Sequence, residues 1–344
     1  MKIKALDAIR AIAALYVFAN HAYILQFGDR ARGVWSDVLL YGHLSVTMFI
    51  VLSGFCLGLP LIKREPIAVG RWLQRRCQRI IPPYYGAIAV LCLIILLKSS
   101  LLGIEPPLTV NGILANLLMV GDLLPASANQ ISITFWSVSV EFKIYLLFPI
   151  MVWALYRYGM AAMLFVAALL ATITALLIWL AGVPLDYPCP WYVFLFGLGL
   201  AAAQLLEQGK RAGVVALFAL TTLVLLLYRY PYTANGAIEL FKPHLLAIDL
   251  AAGCCFAALL VWLAGRDNNG WLNAQGFAWL AGWSYSLYLL HNALLKNVNI
   301  LLAMAGFKGW GAISLATIPV LFSCWLFSQG FERPFLKSHV KAHE

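Results

Sequence analysis

The sequence predicts an all-α integral membrane protein with about ten transmembrane helices and with both termini in the cytoplasm. Hydrophobic residues make up 63% of the 344 residues and charged residues only 11%, whereas a soluble domain is about 45–50% apolar and about 25% charged. The mean hydropathy is +0.85. A soluble fold of this size cannot bury so much apolar surface, and the composition excludes disordered, collagen-like, disulfide-scaffold and coiled-coil proteins.

The apolar residues form ten stretches, each close to the length of about 20 residues that crosses a bilayer as a helix. The stretches cover residues 6–27, 38–62, 80–102, 133–156, 160–181, 191–208, 212–230, 244–264, 280–303 and 310–331. Pro82 and Pro83 are expected in the first turn of the third helix, where proline is tolerated. Asp7, Arg10 and His21 interrupt the first stretch, so we expect an uncleaved helix there and not a signal peptide.

The basic residues predict the orientation of these helices. The net charge is +10, and the basic residues cluster between the apolar stretches. With a cytoplasmic N-terminus, about two-thirds of the 24 basic residues fall on the cytoplasmic side, as the positive-inside rule requires. We therefore predict one transmembrane domain over residues 1–336 and a short cytoplasmic tail over residues 337–344. The seven cysteines show no metal-ligand spacing, so neither a disulfide nor a zinc site is expected.

The first apolar stretch carries two ionisable residues that point to function. Arg10 and His21 are eleven residues apart, which places them on one helical face and about 16 Å apart along the axis. Asp7 lies three residues before Arg10 and can orient its guanidinium. Charged groups within a membrane are expensive and by default indicate a functional site. A helix–helix hydrogen bond is the alternative role for His21.

The fourth stretch places a carboxylate at a depth similar to that of His21. Glu141 lies about 12 Å below the outer boundary if this helix enters from outside, and Ser137 shares its face. A pair between His21 and Glu141 would fix the imidazole tautomer and raise its basicity. A pairing made only for packing is the alternative for Glu141.

A third set of polar residues lies in the ninth stretch. Ser284, Tyr288 and His291 are spaced by four and three residues and so share one helical face. A backbone carbonyl could instead satisfy the imidazole of His291.

Three further ionisable residues have no assigned role. Lys143 points away from Glu141 around the helix, and Asp249 is a possible partner for Lys143 only by depth. His43 is expected at the outer membrane interface.

The segment before the third stretch is basic. Arg71, Arg75 and Arg79 follow one another at intervals of four residues, which places three guanidiniums on one helical stripe. Such a stripe suits phosphate groups, although simple anchoring to anionic lipid is an alternative.

Several short motifs, in this order, resemble those of the membrane-bound acyltransferase-3 family, and the resemblance covers essentially the whole chain. The motifs are Arg10-x10-His21, Phe49-Ile-Val-Leu-Ser53-Gly54-Phe55, Arg76-x-x-Arg79-Ile-Ile-Pro82, Trp136-Ser-Val-Ser-Val-Glu141-Phe, Ser284-Tyr-Ser-Leu-Tyr-Leu-Leu-His291 and Phe331-Glu-Arg333-Pro.

The resemblance implies an integral-membrane O-acyltransferase of the bacterial inner membrane, without a metal and without a nucleic-acid partner. The acyl donor would be acetyl-CoA or a related cytoplasmic thioester, and the acceptor a hydroxyl of a carbohydrate or glycolipid at or beyond the outer face. His21 would be the general base and Glu141 would orient it. The residues implied to bind the donor are Arg10, Arg71, Arg75, Arg76, Arg79 and Ser53. Those implied to position the substrates are Ser137, Trp136, Tyr288, His291 and Asp7.

A proton-coupled transporter or exporter of a glycan or small metabolite is the alternative from another functional class. The intramembrane His, Glu and Lys residues would then form a proton relay. Transporters often contain inverted repeats, and the sequence shows no clear repeat.

Overall fold

The computed structural model describes residues 3–28, 38–63, 68–124, 129–208, 213–228, 244–266 and 270–337. Within these ranges the regular elements are all helical. The α-helices are α1 (Lys4–Phe27), α2 (His43–Gly58), α3 (Val69–Leu102), α4 (Val110–Leu117), α5 (Phe135–Tyr158), α6 (Met160–Leu180), α7 (Tyr192–Glu207), α8 (Gly213–Tyr228), α9 (Leu245–Ala264), α10 (Gln275–Ala281), α11 (Ser284–Met304), α12 (Gly309–Phe331) and α13 (Arg333–Lys337). Short 3-10 segments occur at Leu59–Lys63, Gly121–Leu123 and Gly270–Asn273.

Each of the ten predicted stretches contains an apolar helix. Among the described residues, eight helical segments are long and apolar enough to cross a membrane, and α7 and α8 are shorter apolar helices. At 1.5 Å per residue, the 16 residues of α7 extend about 24 Å, less than the hydrocarbon thickness of about 30 Å. The prediction of an all-helical, multi-span membrane protein is confirmed. The orientation of the termini stays a prediction.

Helix α3 differs from its predicted form. It begins at Val69 and runs for 34 residues, so that Pro82 and Pro83 lie inside the helix, and their expected place in the first turn was wrong. Proline removes a backbone donor and pushes against the carbonyl four residues before it, but neighbouring side chains can bond the affected backbone in membrane helices. Next to the two prolines, the hydroxyl of Tyr285 donates an additional hydrogen bond to the carbonyl oxygen of Ile80 at 3.3 Å. The basic segment is therefore the first part of a continuous helix.

The chain divides into two compact units. Unit 1 comprises Met1–Asn20, Gly28–Ile67 and Lys143–Ala281, and unit 2 comprises His21–Phe27, Ala68–Phe142 and Gly282–Glu344. The prediction of a single transmembrane domain over residues 1–336 stays a prediction. The predicted tail lies outside the described residues except for residue 337.

The core of unit 1 is the close packing of α2 against α7. A Cβ atom added at Gly54 would collide with the carbonyl oxygen of Phe196, and one added at Gly199 would collide with the carbonyl oxygen of Val51. Small residues allow two membrane helices to approach at backbone distance, where dispersion contacts replace the missing hydrophobic drive. The close packing of these helices therefore requires a glycine in the Ser53-Gly54-Phe55 motif.

A buried polar network also holds unit 1 together. The side chain of Asp249 on α9 is fully buried and accepts hydrogen bonds from three residues. The donors are Nε2 of His43 at 3.0 Å, Oγ1 of Thr47 at 2.5 Å and Nε1 of Trp191 at 2.8 Å. A buried carboxylate requires such donors to offset its desolvation. The suggested pairing of Asp249 with Lys143 was therefore wrong, because depth alone does not choose a partner.

Unit 2 is built around α3, α11 and α12. One of its buried carboxylates is that of Glu332, just after α12, which is 5% exposed. This carboxylate accepts hydrogen bonds from the backbone N–H of Ser286 at 3.0 Å and from its hydroxyl at 2.6 Å. The contact fixes the start of α11 to the end of α12. It therefore joins two of the sequence motifs, Phe331-Glu-Arg333-Pro and the Ser284–His291 segment.

Candidate active site

Two histidines meet inside unit 2. His21 lies near the C-terminal end of α1, and His291 lies in the second turn of α11 and is fully buried. Nδ1 of His21 is 2.8 Å from Nε2 of His291, and the two ring planes are within 10° of parallel. This contact connects two of the sequence motifs through a single hydrogen bond.

The surroundings of His291 determine which nitrogen carries each proton. Nδ1 of His291 lies 2.8 Å from the carbonyl oxygen of Leu287 and 2.9 Å from that of Tyr288. Carbonyl oxygens only accept, so Nδ1 of His291 is protonated and, in the neutral ring, Nε2 is an acceptor. His21 must then donate from Nδ1, and its own lone pair is on Nε2. This assignment follows from the hydrogen-bond network, as is usual for histidine tautomers.

Helix α5 contributes a second polar contact to unit 2. The hydroxyl of Ser137 donates to the carbonyl oxygen of Thr134 at 3.2 Å. Since a hydroxyl has one proton, the 2.5 Å contact between Ser137 and Tyr288 must be donated by Tyr288. The proton of Ser137 is thus used on Thr134, and the proton of Tyr288 forms the link between α5 and α11. Glu141 lies one turn after Ser137 and is half-buried, as is Trp136.

The arginine cluster occupies the first part of α3, also in unit 2. Arg71 and Arg75 are exposed, whereas Arg76 and Arg79 are half-buried. The helix is continuous through all four positions, so the spacing of Arg71, Arg75 and Arg79 does place them on one side. Exposed guanidiniums on one helical side can bind phosphate groups through charge-assisted hydrogen bonds.

The remaining predicted site residues lie in unit 1. Arg10 is 3.8 Å from Asp7, which lies one turn earlier in α1, and 3.8 Å from the sulfur of Cys56. Ser53 on α2 shares a hydrogen bond of 2.7 Å with the hydroxyl of Tyr145 on α5. These contacts orient Arg10 along its own helix and connect Ser53 to a tyrosine.

The sequence suggested Glu141 as the partner of His21, and the tautomer-setting contact with His291 was not foreseen. The sequence did mark both histidines as candidates, because each is a polar residue within an apolar stretch. The same signal marks His43 and Asp249 in unit 1. Among the described residues, no group of three or more His, Cys, Asp or Glu side chains could hold a metal ion.

Comparison with known proteins places the chain in a family. A family model described as "Acyltransferase domain" matches residues 3–329. The chain is 27% identical to acyltransferase MdmB of Streptomyces mycarofaciens over 93% of this chain and 88% of that protein. It is also 27% identical to nodulation protein 10 of Rhizobium leguminosarum bv. viciae over 47% of this chain and 48% of that protein. No solved structure matches the chain significantly.

The family match covers nearly the whole chain and both compact units, and it favours an enzyme over the transporter alternative. The motifs that carry the histidine pair and the arginine cluster all lie within the matched residues. The chain is a multi-span membrane acyltransferase of the acyltransferase-3 family.

Proposed function

We propose that this acyltransferase transfers an acetyl or related acyl group from acyl-coenzyme A to a hydroxyl of a carbohydrate or glycolipid acceptor. The observation that carries the proposal is the contact between His21 and His291. It leaves the lone pair of His21 on Nε2, and an imidazole nitrogen in this state is the usual general base for a hydroxyl.

The reaction needs one proton acceptor that later becomes a proton donor. The acceptor hydroxyl gives its proton to Nε2 of His21 as its oxygen attacks the thioester carbonyl carbon. The carbon–sulfur bond then breaks, and the departing thiolate takes the proton back from the imidazolium. While His21 is charged, its Nδ1–H donates a charge-assisted hydrogen bond to His291, which is stronger than the neutral one.

We propose roles for the other predicted residues from the chemistry of their side chains. The guanidiniums of Arg71, Arg75 and Arg79 are proposed to bind the phosphate groups of the donor, since planar guanidiniums match phosphate oxygens. Arg76, Arg10 and Ser53 are also proposed to bind the donor. Glu141 is proposed to stabilise the imidazolium form of His21.

Four residues are proposed to position other side chains or the substrates and not to react themselves, namely Ser137, Trp136, Tyr288 and Asp7. In this arrangement Ser137 donates to Thr134 and Tyr288 donates to Ser137, which leaves no proton of either hydroxyl for an oxyanion. We propose that it fixes α5 against α11. Asp7 is proposed to orient Arg10 through their contact at 3.8 Å.

The charge distribution supports a location in the bacterial inner membrane with cytoplasmic termini, because basic residues favour the cytoplasmic side. Acyl-CoA would then arrive from the cytoplasm, and the acceptor would be modified at or beyond the outer face.

The test uses the purified full-length protein in detergent with radiolabelled acetyl-CoA. The wild type should bind acetyl-CoA and hydrolyse it slowly when water replaces the acceptor. His21→Ala should retain binding and lose about 100-fold or more of the hydrolysis, the range expected for a general base. Wild-type protein that does not bind acetyl-CoA would refute the proposed donor, and unchanged hydrolysis by His21→Ala would refute the proposed base.

A further inference from the structure

One amide oxygen on α11 is buried without a hydrogen-bond partner among the described residues. The side chain of Asn292 is 5% exposed, and its Oδ1 atom contacts no hydrogen-bond donor among the described residues. Rotating the amide by 180° would exchange its two ends and bury an N–H2 group there instead. A buried polar group without a hydrogen bond is destabilising, and more so at membrane depth, where no bulk water can satisfy it.

Two other asparagines of this helix, Asn297 and Asn299, form hydrogen bonds. Nδ2 of Asn297 donates to the carbonyl oxygen of Ala293 at 2.8 Å, and Oδ1 of Asn299 accepts from Nε2 of Gln26 at 3.1 Å. The helix can therefore accommodate asparagine without cost at other positions. Among these three asparagines, Asn292 is the one with a buried polar atom that has no hydrogen-bond partner among the described residues.

The position of Asn292 connects it to the histidine pair. It follows His291 directly, so their Cα atoms are about 3.8 Å apart. It also lies four residues after Tyr288, and residues at this spacing share a helical face. Around the axis of α11, His291 and Asn292 therefore lie on either side of Tyr288, one turn further along the helix. Both are buried within unit 2 and do not face lipid.

We infer that Asn292 binds an amide of the pantetheine arm of acyl-CoA and thereby positions the thioester beside His21. The inference rests on the proposed function for its donor. The amide nearer the sulfur of coenzyme A is separated from it by two methylene groups, which span about 4–5 Å. A thioester carbonyl within reach of Nε2 of His21 therefore brings this amide close to the histidine pair.

An amide is the ligand that matches this side chain. Asparagine offers one acceptor and one donor in a single plane, and the N–H and C=O groups of an amide can meet both. A single hydroxyl of the acceptor would satisfy only one end. The hydrogen bond would form in a buried, low-dielectric environment, where it is stronger than in water. Asn292 is in this view a positioning residue.

The test compares Asn292→Leu with Asn297→Leu in the full-length protein in detergent. Leucine keeps the branching of asparagine at Cγ and removes its polar atoms. The two probes are acetyl-CoA and adenosine 3′,5′-bisphosphate, which is the nucleotide end of coenzyme A without the pantetheine arm. Binding is measured by calorimetry, and thermal unfolding is recorded for each variant.

Asn292→Leu should weaken acetyl-CoA binding about tenfold, which corresponds to about 1.4 kcal/mol, and leave binding of the nucleotide probe unchanged. Its melting temperature should stay the same or rise, because the unsatisfied polar group is gone. Asn297→Leu should leave both affinities unchanged. If leucine does not fit, Asn292→Ala should give the same selective loss.

Unchanged acetyl-CoA affinity in a folded Asn292 variant would overturn the inference while leaving the proposed function intact. An equal loss of affinity for both probes with a lower melting temperature would assign Asn292 a purely structural role and would also overturn it. Wild-type protein that binds neither probe would refute the proposed donor itself and the inference with it.

Discussion

Nδ1 of His21 donates a hydrogen bond to Nε2 of His291 across 2.8 Å. Because Nδ1 of His291 is held by two backbone carbonyl oxygens, this arrangement has one consistent set of protons for two neutral rings. His291 therefore does for His21 what a carboxylate does in many general-base pairs, namely to fix which nitrogen holds the lone pair. Unlike a carboxylate, it does so without placing a charge in the membrane.

The first prediction concerns the role of His291. His291→Ala should lower acetyl-CoA hydrolysis at least about tenfold, because His21 loses the acceptor that keeps its proton on Nδ1. His291→Gln should recover part of the activity, since the amide oxygen of glutamine can accept the same hydrogen bond. The measurement is turnover against donor affinity for both variants. Equal loss in the two variants, with reduced donor binding, would indicate that His291 serves only to fold the protein.

The second prediction concerns the arginine stripe of α3. Arg75→Gln should weaken acetyl-CoA binding about three- to tenfold, a modest effect because Arg75 is exposed and water screens its charge. Raising the salt concentration should weaken binding to the wild type more than to a variant with Arg71, Arg75 and Arg79 all replaced by Gln.

Arg333→Gln is the control for this stripe. The guanidinium of Arg333 donates to Oε1 of Gln329 at 2.6 Å and is not proposed to meet the donor. Its replacement should leave acetyl-CoA affinity and its salt dependence unchanged. If the two substitutions have equal effects on affinity, the stripe is a lipid anchor and not a phosphate site.

The third prediction concerns the glycine at the contact between α2 and α7. Gly54→Ala should lower the free energy of unfolding by about 1–3 kcal/mol, the usual cost of forcing extra atoms into a packed core. The added Cβ would meet the carbonyl oxygen of Phe196, which belongs to the backbone and cannot rotate away. Gly70→Ala is the matched control, since nothing lies within 4 Å of a Cβ at that position. Thermal unfolding in detergent compares the two, and equal stability would contradict the proposed packing constraint.

The helices were predictable because the bilayer imposes a strong pattern on the sequence. A run of about 20 apolar residues has few other uses, and each of the ten runs contains an apolar helix, eight of them in segments long enough to cross a membrane. The prolines of α3 were placed wrongly because local rules assign proline to a first turn. In this fold the basic segment before them continues the same helix.

The partners of the ionisable residues were less predictable. Depth suggested Lys143 as a partner for Asp249, but depth does not state which helices are neighbours, and the pairing of Glu141 with His21 stays a prediction. The contacts of His21 with His291 and of Asp249 with His43 join residues 270 and 206 positions apart in the sequence. Only the tertiary packing of the helices brings such pairs together.

The fourth prediction concerns the buried carboxylate of unit 1. Asp249→Asn should destabilise the protein by about 1–3 kcal/mol, because the amide oxygen cannot accept all three hydrogen bonds and a donor loses its acceptor. Thermal unfolding measures the change. Asp186→Asn, at a half-buried position, should alter stability by no more than about 0.5 kcal/mol. A melting temperature of Asp249→Asn equal to that of the wild type would show that the network does not stabilise unit 1.

The fifth prediction concerns Glu141, which lies one turn beyond Ser137 on α5 and is half-buried. Glutamine keeps the shape of this side chain, removes its charge and replaces one acceptor oxygen with an N–H2 donor. If Glu141 stabilises the imidazolium form of His21, Glu141→Gln should reduce turnover at least about tenfold and leave acetyl-CoA affinity within about twofold. Glu207→Gln, at the exposed end of α7, should change neither quantity. If Glu141→Gln lost turnover and donor binding in parallel, the carboxylate would instead be assigned to packing. A residue that only stabilises the charged form of His21 should not change the affinity for the donor, because His21 becomes charged during the reaction and not on donor binding.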